Sequence, residues 1–97
     1  MSTFIVLTSF TEQGVKNVKQ TIERAEAFKT LAAKAGGTVK DIYWTLGAHD
    51  VVIVFDAPDE QTATALSLSL ASRGNVRSET LRAFSASEMQ GILDKMV

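Results

Sequence analysis

Cysteine is absent from the 97 residues, and with it any disulfide framework, thiol nucleophile or thiolate zinc site. Histidine, tryptophan, tyrosine and proline each occur once, so no cluster of histidines and carboxylates stands at metal-ligand spacing. No charge of one sign prevails. Ten Lys and Arg face eleven Asp and Glu, scattered among one another, whereas nucleic-acid binders carry a clustered basic face. No apolar stretch approaches the length of a membrane span. The opening Met1–Leu7 lacks a basic flank and its apolar run ends too soon for a signal peptide. The serine-centred nucleophile motif is missing, and Gly36-Gly37 follows a helical stretch rather than opening one, as a phosphate-cradling loop would. The expectation is a single cytoplasmic domain over residues 1–97, with no metal, no cofactor, no nucleic-acid partner and no membrane.

What is present is pattern. Phe4-Ile5-Val6-Leu7 is a consecutive apolar run, and residues 3–9 read as a strand. Ser9 with Glu12 has capping-box spacing, and Thr11 is an alternative N-cap. From there to Ala35 the apolar residues Val15, Val18, Ile22, Ala25 and Leu31 or Ala32 recur at helical spacing, which predicts one helix stopped by Gly36-Gly37. Residues 38–46 and 50–56 read as two strands joined by a three-residue turn, Gly47-Ala48-His49. Pro58 is preorganised for the first position of a second helix, which Gly74-Asn75 ends. Residues 76–84 read as a fourth strand, and residues 86–96 as a closing helix opened by Ser85 or Ser87.

The order β-α-β-β-α-β plus a C-terminal helix, with right-handed crossovers, predicts an α+β, ferredoxin-like fold. Its four-stranded antiparallel sheet has the first and third strands at the centre and helices on one face. In such a sheet the uncovered face should be polar and the strands should alternate. Phe4–Leu7 and Val51–Phe55 do not; they send apolar groups both ways. At the usual strand spacing and rise the uncovered face projects roughly 300 Å². Burying it releases on the order of 8 kcal/mol per subunit, or about 16 per pair, against ~4–15 kcal/mol for association. A homodimer or higher oligomer is the expected cover. The alternative is a C-terminal helix folded over the same face within one chain.

The hairpin segment Tyr43-Trp44-Thr45-Leu46-Gly47, then Asp50-Val51-Val52, resembles the GYD family of small prokaryotic domains. That family carries Tyr-Trp-Thr-Leu-Gly-x-Tyr-Asp ahead of an apolar strand. Ala57-Pro58-Asp59-Glu60 and Gly74 to Phe84 are similar to its later segments, so the likeness spans almost the whole chain. His49 stands where the family usually has Tyr, which removes the phenol from that turn. The resemblance implies a ferredoxin-like domain of the dimeric α/β-barrel type, with a biochemical role largely unassigned.

His49 and Asp50 are the candidate catalytic residues: the first has the only ordinary pKa near neutrality, and the second is a carboxylate beside it. As neighbours on a strand they point apart, so they do not form a pair. Against this, a lone turn histidine is ordinarily solvated, and an aspartate beside glycine ordinarily accepts backbone N–H bonds. Tyr43, Trp44, His49, Arg77 and Arg82 are the candidate ligand-binding residues. One of the two aromatics should pack against the helices, while the outward one should wall a ligand cavity between sheets and the arginines would receive an anionic group; packing and rim ion pairs are the alternative uses. Three functions fit these features. The first is a homo-oligomeric binding or sensing domain for a small hydrophobic or anionic ligand. The second is a cofactor-independent oxygenase or isomerase acting on a hydrophobic substrate, and the third is a structural assembly protein.

Overall fold

The first apolar stretch forms β1 (Ser2–Phe10), and the computed structural model, which describes residues 1–97, carries the chain on from it into two layers. The long helical pattern that follows is realised in two pieces, correcting the single helix expected to Ala35. Helix α1 (Glu12–Lys16) ends at Asn17, a 3-10 turn spans Val18–Gln20, and α2 (Thr21–Lys34) then begins.

The break has a cause at its N-terminal end. Thr11, not Ser9, is the cap: its Oγ1 accepts the Gly14 N–H at 3.1 Å. Thr11 is also fastened to the turn at Gly74-Asn75, donating its own N–H to the Asn75 carbonyl at 3.0 Å and its hydroxyl to the Gly74 carbonyl. Gly14 lies so close to this turn that a Cβ there would overlap the Asn75 backbone oxygen. With α1 pinned beside the turn, the chain has to redirect before α2 can cross the sheet. Arg24 Nη1 seals the redirection by donating to the Asn17 carbonyl at 2.7 Å. The cost is that Val15, Val18 and Ile22 stay exposed, and the face α2 buries is Phe28 and Ala32.

The remaining elements are β2 (Thr38–Trp44), β3 (Val51–Ala57), α3 (Glu60–Ser72), β4 (Val76–Ala83) and α4 (Ala86–Leu93). The strands pair antiparallel in the order β2-β3-β1-β4, with β1 and β3 central as the crossover rules require. A register shift between Val39 and Asp41 in β2 sets Val39 opposite Phe55 and Ile42 opposite Ile53, so both turn toward the helices although they are an odd number of positions apart. The hairpin is longer than the three-residue turn expected: Trp44 ends β2, Val51 opens β3, and Thr45 N–H donates to the Asp50 carbonyl at 2.9 Å to close the loop between. Pro58 precedes the α3 cap rather than starting the helix; Asp59 caps, accepting the Thr62 N–H at 2.7 Å.

The core lies between the sheet and α2 and α3. Phe55 is fully buried, stacked against Phe4 at 5.6 Å and edge-on to Phe28 at 6.0 Å, with Val6, Ile53, Ala63 and Leu66 around them. The opposite face is covered by nothing in the chain. Pairing lays across it one row of Asp41, Val54, Ile5 and Leu81, and a second of Tyr43, Val52, Leu7 and Glu79, apolar in the middle, with Asp41, Tyr43 and Glu79 as polar ends and Leu81 as an apolar one. Nor does α4 close it. That helix has a full capping box between Ser85 and Glu88, yet it buries no residue, and Met89, Ile92 and Leu93 remain exposed. Arg82 ties its first turn to β4 through Glu88 at 3.5 Å.

Replacing Gly14 by Ala should force α1 away from Asn75 and weaken both Thr11 bonds. We expect a loss of about 1–3 kcal/mol in urea-induced unfolding, the usual cost of inserting a methyl group where backbone already fills the space.

Candidate functional site

Small side chains leave a gap at the hairpin end of the two-layer stack. Thr8 on β1 and Thr21 and Ala25 on α2 stand where larger residues would close the layers, and a cavity of about 290 Å³ opens there, between the N-terminal half of α2 and the end of α3. Its floor is apolar, formed by Phe10, Phe28, Val51, Ile53 and Leu70. Trp44 walls one side, held by an Nε1–H bond to Thr21 Oγ1 at 3.0 Å. The Thr8 hydroxyl is already satisfied, donating to the Val51 carbonyl at 3.0 Å.

Two arginines and no carboxylate line this cavity, Arg24 from α2 and Arg73 from the C-cap of α3. Neither makes an ion pair within the chain. Arg24 Nη2 is shielded from solvent and has no hydrogen-bond partner, a condition that ordinarily costs about 1–3 kcal/mol for a buried donor. These two residues escaped the reading of the sequence. A signal was present: Thr21, Arg24, Phe28 and Leu31 form one inward row at helical spacing, and a lone charge in such a row marks an unusual environment.

The residues singled out from sequence are dispersed. Trp44 reaches the cavity. Tyr43 sits on the uncovered face, opposite Val52, with its hydroxyl 3.4 Å from Asp41 Oδ1. Arg77 is on that same face, opposite Ser9, at the exposed edge strand. Arg82 is on the helix side but at the far end of β4, donating to the Thr3 and Ala83 carbonyls and lying 4.5 Å from the Phe84 ring centre. His49 stays in the hairpin loop; its carbonyl accepts from Thr45 Oγ1 at 2.6 Å, and its Nδ1 is shielded without a partner. Asp50 accepts the Phe10 N–H at 2.8 Å, across to β1 rather than within its own turn, while its N–H donates to the Thr8 carbonyl at 2.7 Å. Asp50 thus staples the hairpin to the end of β1. No three His, Asp or Glu side chains gather closely enough to hold a metal ion.

Two carboxyls are held below their ordinary range, and both are helix caps. Asp59 is lowered by the Thr62 N–H and then the Thr62 hydroxyl, and Glu88 by the Ser85 N–H and, more weakly, by the Ser85 hydroxyl and Arg82. Neither residue borders the cavity.

With the hairpin, the sheet and the cleft described, comparison with known families is decisive for ancestry. The family model described as "GYD domain" matches residues 4–93. The chain belongs to the GYD domain family. A protein from Thermus thermophilus, described as "Glutamine synthetase and cystathionine beta-lyase binding protein", is 37% identical over 90 residues, covering 92% of this chain and 95% of its own. No helix in this GYD domain is long and apolar enough to cross a membrane.

Asp50→Ala removes the acceptor of the Phe10 N–H from the GYD domain's hairpin staple. The expected result is a loss of about 1–3 kcal/mol of stability in chemical denaturation, with Phe10 and the hairpin amides losing hydrogen-exchange protection first.

Proposed function

We propose that this GYD domain is a homo-oligomeric binding domain that holds or senses a small molecule between its sheet and its helices. The observation that carries the reading is the Trp44-walled cleft of about 290 Å³, close to the ~300 Å³ at which small-molecule sites begin. Its lining is apolar with a few convergent polar groups, the composition of a binding pocket. Of the ligand-binding candidates, Trp44 belongs to this cleft; Tyr43 and Arg77 belong to the uncovered face, where they would form the rim of a subunit contact. A catalytic role for His49 and Asp50 has less support, because neither lines the cleft and the Asp50 carboxylate already accepts a structural bond.

A second copy is the occupant that best fits the uncovered face. Its middle carries Ile5, Leu7, Val52 and Val54, and the release of about 16 kcal/mol per pair exceeds an association cost of ~4–15 kcal/mol only narrowly. The exposed apolar side of α4 supplies the additional area that a stable dimer calls for. Native mass spectrometry and sedimentation at micromolar concentration should find a dimer or larger assembly. Val54→Lys, at the centre of the face and outside the core, should dissociate it to monomers. A wild-type chain that stays monomeric would remove self-association from the proposal.

The printed description of the relative favours a second reading, a domain whose partners are other proteins. Glutamine synthetase and cystathionine beta-lyase purified from the same source as this chain are the direct probes. Under this reading at least one co-elutes with it at a fixed stoichiometry in size-exclusion chromatography, and independent elution of both at micromolar concentrations counts against it.

A further inference from the structure

The cleft offers more than apolar volume, because its charged groups have one sign. Arg24 and Arg73 border it, no acidic side chain does, and neither guanidinium is paired elsewhere in the chain. Arg24 is held at one end, with Nη1 on the Asn17 carbonyl at 2.7 Å, while Nη2 is left shielded and without an acceptor. That anchor exists only because the helix breaks at Asn17, so the interruption between α1 and α2 and the position of the guanidinium are one feature. Asn75, also at the cleft, is fixed by its own carbonyl accepting the Thr11 N–H at 3.0 Å. A donor-rich wall beside an apolar floor is complementary to a molecule with the reverse arrangement of an apolar body and one anionic end.

We infer that the cleft binds a free monocarboxylate with an apolar body, its chain on Phe10, Phe28, Val51 and Leu70 and its carboxylate at Arg24 and Arg73. Size limits the class further. A cavity of about 290 Å³ corresponds to roughly ten water volumes at ~30 Å³ each, hence a ligand of about ten non-hydrogen atoms. A saturated acid of about eight carbons has that size; long-chain lipids exceed it. Seating the carboxylate requires the Arg24 side chain to adjust so that Nη2 donates to it, which gives that donor the acceptor it lacks. The inference rests on the proposed binding role and names its ligand class.

Trp44 is the chain's single tryptophan and walls the cleft, so its emission reports occupancy without a label. The full chain is titrated with octanoate, octanol and octylamine, three probes that share a tail and differ in the charge of the head. Octanoate should shift Trp44 emission saturably, octanol should bind about tenfold or more weakly, and octylammonium more weakly again. Arg24→Gln should bring octanoate to the level of octanol and leave octanol unchanged, and Arg73→Gln should act in the same direction to a smaller extent. Equal binding of octanoate and octanol by the wild-type chain overturns the carboxylate inference and leaves an apolar binding cleft intact. A chain whose tryptophan responds to none of the three overturns the inference together with the cleft reading. The wild-type comparison does not depend on any variant folding.

Discussion

Apolar side chains on both sides of one four-stranded layer set the terms for this molecule. β1 and β3 are central, and each alternates between residues that meet the helices and residues that do not: Phe4, Val6, Ile53 and Phe55 inward, Ile5, Leu7, Val52 and Val54 outward. Both sets are hydrophobic, and α2 and α3 are sufficient for one side only. The inner side is resolved within the chain by the Phe4, Phe28 and Phe55 cluster. The outer side is left as two cross-strand rows with apolar centres, and the one helix that could have covered it buries nothing. Water contact with that surface is the unresolved term in the energetics of the isolated chain, and association is the ordinary way to remove it.

The second constraint is the turn at Gly74-Asn75. Thr11 and Gly14 both press against it, fixing α1 at the end of the sheet and breaking the helical run at Asn17. The break directs α2 across the sheet at a position where Thr21 and Ala25, rather than larger residues, face β1 and β3. The cleft is therefore not a packing defect distributed at random. It sits where a backbone-to-backbone contact has displaced a helix start, and where Asp50 and Trp44 secure the opposite wall through Phe10 and Thr21.

The sequence conveyed the architecture well because fold class depends on local periodicity. Strand and helix spacing, the Gly36 and Gly74 stops and the order of elements were enough for β1 and β3 at the centre of an antiparallel sheet, and the hairpin residues were enough for the GYD domain. Periodicity was less informative where distant backbone intervened. Val15, Val18 and Ile22 have the spacing of a buried stripe but stay exposed, because Asn75, some sixty residues on from α1, pins that helix beside its own backbone and the stripe is broken at Asn17. The site followed the same division. That one of Tyr43 and Trp44 turns inward was legible, but not which, and the cavity lies beside the inward Trp44 rather than beside the outward aromatic expected to wall one. Arg24 and Arg73 were not legible, because two arginines on separate helices become one feature only after α2 and α3 are laid side by side.

By itself, then, the sequence determined the order of elements, the antiparallel sheet and the presence of grease on both of its faces, since each is written in residue spacings a few positions long. Tertiary structure alone decided that the C-terminal helix leaves the outer face bare, that Asp50 serves β1 rather than its own turn, and that two unpaired guanidiniums share an apolar cleft. Those outcomes depend on contacts between residues tens of positions apart, and such contacts have no periodic signature for a linear reading to detect.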